Sequence, residues 1–160
     1  MSESQKETQL IVAMTIYGEE DGRLSKSYDD WQDGQRAIAA IILNRQNAQL
    51  SYLGCDLVSI CTKPGQFDGY NRGKNKYETN TYDPIAWESA MYLAECVVRG
   101  DYEGLCAPEG ITSKHLYFNN TQTFNNNISA NNGYFSFGAG SSLVKPLEVV
   151  EYGGNTFFYY

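Results

Sequence analysis

The run GQRAIAAIILNRQN, Gly34 to Asn47, constrains this chain more than any other stretch. Ala37 to Leu43 are apolar without a break, and the alanines favour helix over strand. A helix that is apolar on most sides must lie at the centre of a domain, with other elements packed around it. Asn44 and Arg45 end the run and place polar groups next to the core. A chain of 160 residues can supply one such core and the layers that cover it. Residues 1–160 are therefore read as a single domain, with residues 1–8 as a polar N-terminal extension.

The neighbouring elements are read from spacing. Ser4 and Glu7 stand at capping-box distance. Leu10, Met14 and Tyr17 then recur on one helical face, and Gly18 is the expected stop. Residues 20–34 are polar and read as a loop, from which Asp29 or Asp30 caps the central helix. A short helix is expected over Asp56 to Cys61, followed by a turn at Pro64-Gly65. GYNRGKNKYETNTY, from Gly69, reads as a loop by composition. Asp83-Pro84 is a helix start, a cap followed by proline at the first helical position. Ile85, Trp87, Ala90, Met91, Ala94, Val97 and Val98 form its expected buried face, and Gly100 ends it. Beyond Gly110 the helical spacing vanishes. The aromatic runs KHLYF, GYFSFG, LEVVEY and NTFFYY read as antiparallel strands, with the amide-rich NNTQTFNNNISANN as a loop between them. Helices first and strands last predict an α+β fold.

Composition removes several functions. The formal charge of −7 argues against a nucleic-acid or phosphate-binding protein, which needs clustered Lys and Arg. No apolar run reaches membrane-span length. The 13 tyrosines place many rings with hydroxyls at or near the surface, where they suit sugars or protein partners. Cys55, Cys61, Cys96 and Cys106 fit either two disulfides or four buried small hydrophobes. For disulfides, Cys55–Cys61 and Cys96–Cys106 close the shortest loops. Neither spacing is that of a zinc knuckle.

Four places carry possible chemistry. Glu19 follows the expected end of the first helix, where the macrodipole disfavours an anion, and Glu20 and Asp21 stand beside it. Those surroundings suit a carboxyl that keeps its proton and acts as a general acid; the plain alternative is a solvated turn residue. Gln66 and Phe67, in GQF, suit a sugar site through an amide and a stacking ring, or else Phe67 anchors the loop to the core. Tyr117 and Asn119, in YFNN, have the same two readings. His115 is the only histidine; it either pairs with a cysteine as a peptidase or amidase dyad or is a satisfied strand residue.

Taken in order, YGE, GQRAIAAIILNR, GQF, an alanine-rich helix, HLYFNN and a closing GGNTFFYY resemble the cell-wall hydrolases of the spore-cortex-lytic type, the SleB/CwlJ-like family. The resemblance covers the chain from about Leu10 to Tyr159. Here Glu20-Asp21-Gly22-Arg23 replaces the family's small residue, Arg-Gly and acid, and the segment before Gly34-Gln35 is longer. The resemblance implies a lysozyme-like α+β fold and a peptidoglycan-degrading enzyme that cuts the glycan strand between N-acetylmuramic acid and N-acetylglucosamine. It implies a lytic transglycosylase or muramidase with Glu19 as the catalytic acid, Gln66, Phe67, Tyr117 and Asn119 holding the sugar, and no metal or organic cofactor. The expected partner is the glycan strand, and the expected state is a monomer. MSESQKETQ does not read as a secretory signal, so a phage lysin, an injected effector or a trimmed chain is expected to act at the cell wall, in the periplasm or outside the cell. In the effector case a protein inhibitor is an expected partner. The rival classes are a Cys–His peptidase or amidase and a non-catalytic glycan-binding module.

Overall fold

A computed structural model describes residues 1–22 and 30–160. Helix α1, Glu3–Glu19, starts at a capping box formed by Ser2 and Gln5, two residues upstream of the expected Ser4–Glu7 pair. The polar residues expected as an extension thus form the exposed first turns of α1. The helix also runs through Gly18, which was expected to stop it. The reason is steric: a methyl group on Gly18 would overlap the Gly69 carbonyl of a crossing helix. Glycine is there for close approach and not for a left-handed cap.

Helix α2, Trp31–Ala48, is the expected central helix, and Ala37 through Leu43 are at most 2% exposed. Asp30 occupies its N-cap position, but its carboxylate binds the Gly153 N–H at 2.9 Å in place of the helix end. Asp29, the other expected cap, lies outside the described residues. The expected short helix is α3, Leu57–Thr62; Asp56, placed inside it by the sequence reading, is its N-cap.

Helix α4, Gly69–Glu78, replaces the loop expected there. Its buried residues are Gly69 and Gly73, which lie against the backbone of α1, so it packs without an apolar stripe. Helix α5, Pro84–Arg99, begins on Asp83, which accepts from the Ile85 and Ala86 N–H groups, and ends at Gly100 with φ 68°. Its buried positions are Ala86, Ala90, Leu93, Ala94, Cys96 and Val97. Ile85 is 53% exposed, because the face is turned by about one position from the expected one.

Strand β1, Tyr117–Asn120, is followed by helix α6, Thr121–Ala130. The amide-rich segment is thus mostly helical. Asn120 caps it through the Gln122 and Thr123 N–H groups, and Phe124 is its one buried residue among those described. Strands β2, Leu147–Tyr152, and β3, Asn155–Tyr159, complete an antiparallel sheet in the order β1-β3-β2. KHLYF is a strand only from Tyr117, and GYFSFG contributes a single bridge, Phe135 to Val144.

The sheet separates two cores. Alternation along β3 sends Phe157 into the main core with α1, α2 and α5, and Phe158 into a smaller aromatic cluster with Tyr117, Phe124 and Phe135. The β2–β3 hairpin turns on Gly153 and Gly154, with φ 56° and 73°. That pair of left-handed residues is what a two-residue turn matching the strand twist requires. The fold is α+β. Among the described residues no helix is long and apolar enough to cross a membrane.

Candidate functional site

Glu19 is the last residue of α1, at the floor of an open cavity of about 580 Å³ between the helices and the sheet. The α1–α4 crossing puts it there. Gly18, Gly69 and Gly73 let the two backbones touch, and the first N–H of α4 then meets the last side chain of α1. Glu19 Oε1 accepts from the Gly69 N–H at 2.5 Å, and Arg72 Nη2 lies 3.3 Å from Oε2. Arg72 Nε also donates to the Gly18 carbonyl at 3.0 Å, so one guanidinium serves both the helix end and the acid beyond it.

The Glu19 side chain is 9% accessible. Burial raises its pKa, and Asp68 adds to this, while the Gly69 N–H, Arg72 and Arg45 oppose it. Glu20, 3% exposed, lines the same cavity. Its Oε1 accepts from the Gly22 N–H at 2.9 Å, and Gly34 and Gly153 enclose the rest of the carboxyl. Burial pushes the Glu20 carboxyl up to about 7, with Asp21 and Asp30 adding to the shift and the Gly22 N–H opposing it.

A second cavity, of about 410 Å³, shares Gly65, Gln66, Phe118 and Asn119 with the first. The two form one groove. Gln66 and Asn119 line both parts. Tyr117 lines the second part, with its hydroxyl 2.6 Å from that of Tyr52 and its ring stacked on Tyr160. Phe67 does not join them. It is 4% exposed, in the main core, with its ring against Phe118 and under the Arg45 guanidinium at 4.6 Å. The expectation that Phe67 stacks on a sugar is corrected: the ring anchors the loop and supports Arg45.

Arg45, Arg72, Tyr52, Phe137 and Tyr160 line the groove without having been assigned a site role from the sequence. The signal for Arg45 was present, a cation directly following an unbroken apolar helix. The others had none, because their segments meet the groove only through the fold.

His115 is fully buried and satisfied. Its Nδ1 accepts from the Thr112 N–H at 3.1 Å, and Nε2 donates to the Glu148 carbonyl at 2.7 Å. No described hydrogen bond joins it to a cysteine. All four cysteines are free thiols, so neither disulfide closure is present. Cys61, whose thiol burial pushes up to about 12, is a poor nucleophile. Among the described residues no group of His, Cys, Asp or Glu is arranged to hold a metal ion.

Comparison of the chain with known protein families, with characterised proteins and with solved structures finds no match.

Proposed function

We propose that this protein is a peptidoglycan-degrading glycosidase of lysozyme-like architecture, with Glu19 as its acid. The observation that carries the reading is the Glu19 carboxyl itself. It is nearly enclosed, raised in pKa by burial, and set in the first of two cavities that adjoin through Gly65, Gln66, Phe118 and Asn119. A carboxyl held in that way keeps a proton at a pH where a free one has lost it, which general-acid catalysis needs.

In this reading Glu19 donates its proton to the glycosidic oxygen between N-acetylmuramic acid and N-acetylglucosamine, and the sugar left behind takes on oxocarbenium character. The substrate's acetamido group supports the cation. Glu19, now ionised, takes the proton from the C6 hydroxyl as that oxygen closes on C1, giving a 1,6-anhydromuramic end. The Gly69 N–H and Arg72 stabilise the carboxylate at that stage. Gln66, Asn119 and Tyr117 hold the strand. Glu20 sits beside Glu19 on the same helix end, with its carboxyl enclosed by glycine backbone, so it is poorly placed to act from the opposite face of the sugar.

The test is a digest of purified peptidoglycan, read by mass spectrometry. Muropeptides ending in 1,6-anhydromuramic acid are expected from wild type and are expected to disappear with Glu19→Gln. Reducible muramic ends, lost with the same variant, would make the enzyme a hydrolase with the same acid. Lysis by a folded Glu19→Gln protein at the wild-type rate would overturn the assignment.

A further inference from the structure

Arg45 is a guanidinium in an unusual place. It is 3% exposed, and among the described residues no carboxylate forms an ion pair with it. Nε donates to the Leu116 carbonyl at 2.8 Å, Nη1 reaches Gln66 Oε1 at 3.4 Å, and Phe67 lies beneath the plane. Nη2 has no protein acceptor among the described residues, yet it is not one of the fully enclosed orphan atoms, because Arg45 lines the second cavity. Glu19 acts on the guanidinium through space without an ion-pair contact, and a buried cation compensated only in that way is costly to hold. A carbonyl, a weak amide contact and a ring face offset only part of that cost.

The two parts of the groove differ in charge. Glu19, Glu20, Asp21 and Asp68 line the first, with Arg72 the one cation against them among the described residues, so a second anion is disfavoured there. Among the described residues Arg45 is the only charged side chain lining the second. Around it stand Tyr52, Tyr117, Phe137 and Tyr160, with the amides of Gln66, Asn119 and Asn127. Rings and amides are the usual furniture of a sugar site, and a guanidinium edge matches a carboxylate in geometry and charge.

We infer that the second cavity is a subsite for an acidic sugar, in which the free edge of Arg45 receives a carboxylate borne on the muramyl unit adjoining the bond cut at Glu19. This rests on the glycan reading above and deepens it. The carboxylate is either the lactyl group of a sugar without its peptide or an acid of the stem peptide itself. Occupation would give Arg45 the direct ion pair that Glu19, acting only through space, does not form, so substrate choice would follow the presence of that charge. At neutral pH the cation persists, although burial lowers its pKa to about 10.

The test uses the Glu19→Gln protein, so that ligands are not consumed, with three probes titrated by NMR and calorimetry. They are the N-acetylglucosaminyl-N-acetylmuramic acid disaccharide, its lactyl methyl ester, and the same disaccharide carrying a dipeptide that ends in free carboxylates. At least one acid is expected to bind about tenfold or more tighter than the ester, with shifts at Tyr117, Asn119 and Phe137. Whichever acid binds more tightly names the source of the charge. Arg45→Lys keeps a cation but loses the fork, and is expected to lose most of that preference. If this variant does not fold, the acid-to-ester comparison decides alone, since it leaves Arg45 intact. Equal affinity of acid and ester, or shifts confined to the Glu19 cavity, would overturn the inference. Strand cleavage is judged separately by the digest, so either idea can fail without the other.

Discussion

Replacing Glu20 with glutamine should stabilise the protein above neutral pH, and the size of the effect follows from the surroundings of the carboxyl. Its ordinary pKa is near 4.5, and in the fold it is raised to about 7. The folded state thus holds a proton that the unfolded chain releases. Stability from this group is fully present below pH 4.5 and is lost as pH rises through 7. Two and a half pH units at 1.36 kcal/mol each give about 3 kcal/mol lost between those limits. The side chain is 3% exposed, so solvent screening takes little from that figure. Glutamine keeps the shape and the acceptor for the Gly22 N–H and cannot ionise. Urea unfolding of wild type and Glu20→Gln from pH 4.5 to pH 8.5 is the assay. The curves should agree at the acid end and separate by about 3 kcal/mol at the alkaline end, with glutamine the more stable. Some slope should remain in the variant, since Glu19 is raised in the same direction. Parallel curves over the whole range, or a variant less stable at pH 8.5, would refute the reasoning.

The helix crossing and the remaining groups give further expectations. Gly73→Ala puts a methyl group into the Met14 carbonyl and should cost about 3 kcal/mol or more, measured by urea midpoint, because backbone on both sides leaves nothing to give way. Arg72→Ala removes a cation that lowers the Glu19 pKa, so the acid should survive to higher pH. The alkaline limb of the pH–activity profile should move up, with the shift damped by solvent because the Arg72 side chain is 57% exposed. Without reductant, thiol titration should find four thiols in denaturant and react first with Cys55 and Cys106 in the native protein. Fewer than four in denaturant would mean that a disulfide has formed.

The sequence by itself determined the elements that bury apolar side chains. An unbroken run from Ala37 to Leu43 can only be the middle of a core, and Asp83-Pro84 with Gly100 brackets α5 because capping and left-handed backbone are local chemistry. The same holds for LEVVEY and NTFFYY, whose β-rich composition formed β2 and β3. Glu19 was legible for a local reason too, an acid where the helix dipole disfavours one. Tertiary structure decided the rest. Helix α4 buries glycine against backbone, and α6 buries Phe124 alone among its described residues, so neither carries an apolar period that a sequence could display. Gly18 looked like a helix stop because the residue types for left-handed caps and for close crossings are the same; only the partner backbone tells them apart. The groove followed from that crossing. Phe67 and Tyr117 look alike as aromatic residues next to polar ones, yet packing sends one ring into the main core beneath Arg45 and the other into the smaller cluster, where it also lines the groove. Side-chain direction is set by what lies on each face of a loop or strand, and those faces are built by residues distant in the chain.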